Sequence, residues 1–341
     1  MKILILTIVI GMIGCQTPMR RNTSPSPSKT ETERPTAARP RDPAPTSPGA
    51  TAQPPANPTP EVEDNRPIMD DNLAPDEVEV ENKPPKPVPR LPKVGVIFGP
   101  GGGKVFGQIG VLQEFQKNKI PIYNVAGIEM GALTASLYAW RGSANDTEWQ
   151  MFKIKGEDIL KKGLISSKRA GDFDVIQNIV KSAFHNLKAE DFKKPFACPA
   201  LNLEKNKMYV MNRGNLEALL PYCIPYPPLF KPYQKNISAV REVKALADHL
   251  RKQGANYIVL INVLGGSAFK TPINDSDSVE NLVWAEISSQ MVKESSHVDY
   301  TITVNLDSYS VLDFENKRDM MQKGSSQANR AVRDLAEKLG L

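Results

Sequence analysis

From Lys93 onward, short apolar runs alternate with stretches whose apolar residues recur at helical spacing. Val94–Phe98 is a short apolar run and predicts a buried strand. A helical pattern follows over 105–116, a second strand over 121–125 and a helix of small and apolar residues over 130–140. Further strands are predicted at 196–203, 208–211, 257–264 and 300–304, and further helices near 147–160, 173–185, 238–252, 279–292 and 317–338. Strands alternating with helices imply an α/β domain with a mostly parallel sheet covered on both faces. The nearly continuous apolar runs at 94–98 and 257–264 agree, because buried parallel strands show no polar alternation. About 250 residues are enough for one such domain with a full core. No internal repeat is visible.

The first 92 residues are patterned differently. Met1-Lys2 precedes an uncharged stretch from Ile3 to Gly14, too short for a transmembrane helix, which needs about 20 apolar residues. A basic start and a short apolar core predict a signal peptide over 1–14. It ends at Met12-Ile13-Gly14-Cys15, which resembles the lipobox of bacterial lipoproteins. The resemblance implies cleavage before Cys15, acylation of that cysteine and a membrane as partner. Gln16, rather than an aspartate, is similar to lipoproteins sorted to the outer membrane. Residues 16–92 hold 19 of the 29 prolines and few apolar side chains. Such a segment cannot bury enough surface to offset its ordering entropy, so 15–92 is expected to be a disordered, partly polyproline tether. It reads as a spacer or as a docking segment for envelope partners.

Composition narrows the chemistry. Besides Cys15 there are Cys198 and Cys223, which either pair in an oxidising compartment or serve as small buried hydrophobes. No C-x-x-C spacing exists and His185, His249 and His297 are scattered, so no metal site is expected. The net charge of +5 is modest and Lys and Arg read as spread along the chain, which argues against a nucleic-acid partner.

Two glycine-bearing turns carry the candidate chemistry. Gly99-Pro100-Gly101-Gly102-Gly103-Lys104 lies between a predicted strand and helix, where backbone N–H groups converge beside a helix N-terminus. The Walker pattern and a strict G-x-G-x-x-G are both absent, so no cofactor is implied. The second turn, Gly127-Ile128-Glu129-Met130-Gly131, stands at another strand-to-helix junction. That is the setting of a G-x-S-x-G nucleophile elbow, with glutamate at the serine position.

Together these turns resemble the patatin-like phospholipase family. Gly101-Gly102-Gly103-Lys104 with Ile109-Gly110-Val111-Leu112 is similar to its oxyanion loop and first helix, with Lys104 where an arginine is usual. Asn124-Val125-Ala126-Gly127, Met130-Gly131-Ala132-Leu133 and Leu137-Tyr138-Ala139 resemble its elbow strand and helix. Gly254-Ala255-Asn256-Tyr257-Ile258-Val259 and Leu312-Asp313-Phe314 resemble later segments, so the likeness covers about 93–341. It implies a three-layer α/β/α fold and, in typical members, hydrolysis of lipid acyl esters by a Ser–Asp dyad. Here Glu129 replaces the serine, and the stretch 233–243, where an Asp-Gly is expected, contains no aspartate. Glu242 is the nearest acidic residue there.

A carboxylate at the elbow would occupy the anion site, pair with the loop amides and Lys104, and have its pKa depressed. The expected outcome is a catalytically silent module that binds a lipid, a cell-wall component or a protein. Two alternatives keep activity: altered chemistry through Glu129, or residual acyl hydrolysis through other groups. Trp140, Trp149 and Trp284 are expected in the core. Asp172 and Asp174 are expected to cap a helix, and Ser295, Ser296, His297 and Asp299 lie too close in sequence to form a triad.

Overall fold

A computed structural model describes residues 91–159, 161–162, 168–169, 174–265 and 278–341. The predicted signal peptide 1–14, Cys15, the tether up to residue 90 and Asp172 lie outside the described residues.

The chain runs β1 (Val94–Phe98), a 3-10 turn (Gly102–Val105), α1 (Phe106–Lys117), β2 (Ile122–Gly127), α2 (Met130–Arg141), α3 (Ala144–Met151) and α4 (Gly156–Ile159). A small ribbon of β3 (Lys161–Lys162) and β4 (Lys168–Arg169) follows, then α5 (Asp174–Phe184), β5 (Phe196–Asn202), β6 (Lys207–Met211) and α6 (Leu216–Cys223). The rest is β7 (Asn236–Ser238), α7 (Val243–Lys252), β8 (Tyr257–Asn262), α8 (Ser278–Glu294), β9 (Tyr300–Thr303) and α9 (Lys317–Leu339). The main sheet is ordered β6-β5-β2-β1-β8-β9, with β7 also paired to β5. The β5–β2, β2–β1, β1–β8 and β8–β9 pairs are parallel, whereas β6 and β7 are antiparallel to β5.

Side-chain alternation along the central strands feeds two cores. Val94, Val96 and Phe98 of β1 and Val259 and Ile261 of β8 pack with α1, α2 and α9 residues such as Leu112, Leu133 and Val332. Ile97, Ile258 and Leu260 point the other way, against Leu246 and Leu250 of α7 and Ile287 and Met291 of α8. The result is the expected α/β/α sandwich over a mostly parallel sheet.

Several elements depart from their predicted limits. The single helix expected at 147–160 is two, α3 and α4, broken at 152–155. Ser143 starts α3 by accepting from the Asp146 amide, and the Lys317 ammonium takes the Phe152 and Ile154 carbonyls left over at the break. The helix expected from 238 starts at Val243, because Asn236–Ser238 is used as β7. Helix α6 was not predicted; Pro221 lies inside it. Trp284 is buried and Trp140 partly so, but Trp149 is 68 % exposed and is not core. Asp174 opens α5 as expected.

Cys198 on β5 and Cys223 at the end of α6 form a disulfide, with Cα atoms 5.9 Å apart. This ties the antiparallel edge of the sheet to a helix 25 residues away in sequence. Helix α9 meets α1 backbone to backbone where glycines face each other. A Cβ on Gly324 would stand 2.0 Å from the Gly107 carbonyl, and one on Gly110 would stand 2.1 Å from that of Met321. Beside this contact the buried Glu114 carboxylate accepts from Ser325 Oγ at 2.8 Å and Asn329 Nδ2 at 2.7 Å.

Two stability effects are expected in urea unfolding. Gly110→Ala forces α1 and α9 apart and should cost about 2 kcal/mol or more, despite alanine's better helix propensity. Replacing both Cys198 and Cys223 by alanine should cost about 3 kcal/mol, the entropy expected for opening a loop of this length.

Candidate functional site

Strands β1 and β2 are parallel neighbours, so the two glycine turns at their carboxyl ends lie side by side. The elbow turn is closed by backbone contacts. A Cβ on Gly131 would fall 2.4 Å from the Gly99 carbonyl oxygen, and one on Gly127 would fall 2.3 Å from the Gly131 oxygen. Ile128 N–H donates to the Phe98 carbonyl at 2.9 Å, which stitches the elbow to the end of β1. Between the two glycines, Glu129 takes φ 56° and ψ −132°, a strained conformation for a residue with a side chain. The strain holds its side chain at the start of α2, turned toward the glycine loop.

The carboxylate is fully buried. Its Oε2 accepts from the Gly101 amide at 3.1 Å and the Gly102 amide at 2.9 Å. Gly103, the third glycine of the expected cradle, is engaged elsewhere, its amide donating to the Val311 carbonyl at 2.7 Å. The loop is roofed by the segment before α9. A Cβ on Gly102 would meet the Val311 oxygen at 2.4 Å, and one on Gly103 the Asp313 oxygen at 2.0 Å. Below, Gln108 Nε2 donates to the Gly99 carbonyl at 2.6 Å and fixes the loop against α1. The anion-binding position between the two turns is thus filled by the protein's own carboxylate.

Two expectations about this carboxylate need correction. Lys104 does not pair with it. The ammonium is largely buried, which lowers its pKa, and the charge acting on it is that of Asp307. Nor is the Glu129 pKa depressed. Burial pushes it up to about 7, against the pull of the Gly101, Gly102 and Met130 amides. Loss of hydration outweighs those amide dipoles because the group is fully buried and, among the described residues, Oε1 has no hydrogen-bond partner.

The elbow's other neighbour is Ser238, a residue the sequence did not single out. Its Oγ accepts the Glu129 backbone N–H at 2.8 Å, and it too is fully buried. Ser238 lies within the 233–243 stretch searched for an aspartate, so a hydroxyl stands beside the elbow where a carboxylate was expected. The one available signal was a polar residue set among Ile237, Ala239 and Val240. Glu242 is at the start of α7, where burial and the neighbouring Glu294 charge raise its pKa. Ser295 and Ser296 bond back to carbonyls of α8, and Asp299 receives Arg251 and the Ile258 amide, so these residues build no triad. Among the described residues no group of three or more His, Cys, Asp or Glu could hold a metal ion.

Residues 96–257 match the family described as patatin-like phospholipase. Over 202 residues the chain is 25% identical to a lysophospholipase NTE1 of Phaeosphaeria nodorum, covering 56% of this chain and 13% of that protein. Over 152 residues it is 24% identical to an uncharacterized NTE family protein of Mycobacterium bovis, covering 42% and 40% of the two chains. It therefore spans well under two thirds of these relatives. Among solved structures, VipD from Legionella pneumophila aligns with a TM-score of 0.46 and 12% identity over 71% of this chain and 67% of that one.

The buried carboxyl makes stability depend on pH in a defined direction. In the folded protein it keeps its proton up to about 7, and once unfolded it releases it near 4.5. The contribution is therefore complete below about pH 4.5 and is lost as the pH rises through 7, a change of about 3 kcal/mol. Glu129→Gln keeps an oxygen for the two amides and has no proton to release. Denaturant unfolding from pH 4.5 to 8 should show wild type losing stability relative to this variant by about that amount.

Proposed function

Given that residues 96–257 belong to the patatin-like phospholipase family, we propose that this chain is a non-catalytic member, carried in the cell envelope on a lipid-anchored tether. One observation carries the reading: the Glu129 carboxylate sits on the Gly101 and Gly102 amides, where a hydrolase of this type receives the developing oxyanion. An ester carbonyl would have to displace a bonded, buried group to reach those donors. No serine stands at the elbow, and the side chain that meets Glu129 from the 233–243 stretch is a hydroxyl rather than a base. The domain over 93–341 then serves as a binding module for a lipid, a cell-wall component or a protein.

In this reading a signal peptide over 1–14, acylation of Cys15 and a tether over 15–92 carry the module to the outer membrane. The Cys198–Cys223 disulfide supports an oxidising compartment, since such bonds rarely persist in a reducing cytosol. Among the described residues no helix is long and apolar enough to cross a membrane, so the acyl chains are the attachment in this reading. The competing reading, a patatin-like acyl hydrolase with altered chemistry, has Ser238 as its best group. That hydroxyl is fully buried and accepts the elbow amide of Glu129.

The purified protein should turn over neither short-chain nitrophenyl esters nor phospholipid vesicles. Turnover that disappears in Glu129→Ala would defeat the silent reading. Glu129→Ser alone should remain inactive because the side chain that meets the elbow from β7 is the Ser238 hydroxyl and not a base. The double change Glu129→Ser with Ser238→Asp restores a hydroxyl and a carboxylate at the elbow. It should raise esterase turnover by on the order of 100-fold over background, the scale of a positioned general base.

A further inference from the structure

The main sheet ends on one side at β6, the terminal strand in the order β6-β5-β2-β1-β8-β9. The bonding of β5 decides which backbone groups of β6 face outward. Ala239 N–H donates to the Pro199 carbonyl at 3.3 Å, and Leu203 N–H donates to the Lys235 carbonyl at 2.8 Å. Residues 199 and 203 thus turn their backbone groups toward β7. Backbone groups alternate between the two edges of a strand, so Leu201 shares that edge, and Cys198, Ala200 and Asn202 face β6. Their partners are Met211, Tyr209 and Lys207. Met208 and Val210, set between these, aim both N–H and C=O away from the sheet. Among the described residues no hydrogen bond reaches those four groups.

An open edge invites pairing, and proteins guard it with proline, a bulge, a cover or charge. Strand β6 reads Lys-Met-Tyr-Val-Met, with no proline, and its register with β5 runs without a shift. Lys207 is its one charge, and its ammonium lies 5.4 Å from the centre of the exposed Tyr209 ring on the same face. Lys205 stands in the turn before the strand and Arg213 just after it, both exposed. The carboxylates nearby are engaged: Glu204 takes Lys235 at 2.8 Å, and Glu190 accepts the Gly214 amide at 2.8 Å.

Charge selects the occupant. A second copy paired antiparallel about Tyr209 would bring Lys205 of each chain opposite Arg213 of the other, and directly opposed like charges destabilise a pair. A strand with acidic residues at alternate positions instead meets Lys207 on the Tyr209 face and lays its remaining side chains beside Met208 and Val210. We propose that the outer edge of β6 takes an extended acidic protein segment as an added strand, bonded to the backbone of Met208 and Val210 and selected by Lys205 and Lys207. With β5 between β6 and the elbow strand β2, this pairing does not require a silent elbow. Its failure leaves the non-catalytic reading untouched.

The probe is a short capped peptide of alternating Glu and Val, titrated against the full chain by fluorescence anisotropy. It should bind about tenfold or more tighter than the same peptide with Lys for Glu, and the gap should narrow as salt rises. In antiparallel pairing, the residues opposite Met208 and Val210 share their face, so the peptide's valines supply the bonding amides. N-methylation of the valines should abolish binding, whereas N-methylation of the glutamates should leave it within about twofold. Amide hydrogen exchange at Met208 and Val210 should slow on binding, while Tyr209, already bonded to β5, should not change. Lys205→Glu combined with Lys207→Glu should reverse the preference in favour of the lysine peptide. Equal affinity of wild type for the two peptides would overturn the proposal, as would equal loss from methylation at either set of positions. So would the wild-type preference in the double variant with a wild-type circular dichroism spectrum. Protection of Met208 and Val210 that grows with protein concentration and needs no peptide would assign the edge to a second copy instead.

Discussion

The close approach of two backbone turns governs this molecule. Gly131 touches the carbonyls of Phe98 and Gly99 at distances that leave no room for a Cβ, and Gly127 touches Gly131 in the same way. Only with those three segments in contact does Glu129, held at φ 56°, aim its carboxylate at the Gly101 and Gly102 amides. The parallel pairing of β1 with β2 supplies the approximate placement. The glycines supply the final closeness, and the roof of Val311 to Asp313 excludes water from the result.

That arrangement explains why a carboxyl at the elbow behaves unlike one in solution. Two amide donors and the start of a helix attract negative charge, yet the group lies where water cannot reach it. Desolvation is the larger effect, and the carboxyl holds its proton to near neutrality. The same geometry that in a hydrolase awaits a transient oxyanion here contains a permanent side chain. Ser238 completes the inversion, because the carboxylate now comes from the elbow and the hydroxyl from the segment across from it.

Much of this was legible in the sequence. The central strands are apolar runs too continuous for a half-exposed sheet, and both glycine turns stand at strand-to-helix junctions. What was not legible depended on contacts between distant segments. Ser238 matters because it reaches a residue 109 positions earlier. Helix α6 was hidden by Pro221 and the prolines after it, although Asn215 caps it through the Glu217 amide. Trp149 was expected inside because large aromatics usually are, but it falls on the face of α3 opposite the buried Ala144, Thr147 and Met151. The direction of the Glu129 shift failed for a related reason. The donors could be read from the glycines, but complete burial could not.

The roof over the glycine loop sets an order of events during synthesis. Gly101 to Gly103 are among the first residues of the domain to leave the ribosome, yet Val311 and Asp313, which cover them, come some 210 residues later. The partner of α1 is later still, since α9 runs to Leu339. Until those residues arrive, the loop that holds the Glu129 carboxyl lacks its cover. A growing chain therefore carries the two glycine turns without their roof. The roof can form only once nearly the whole domain has been made.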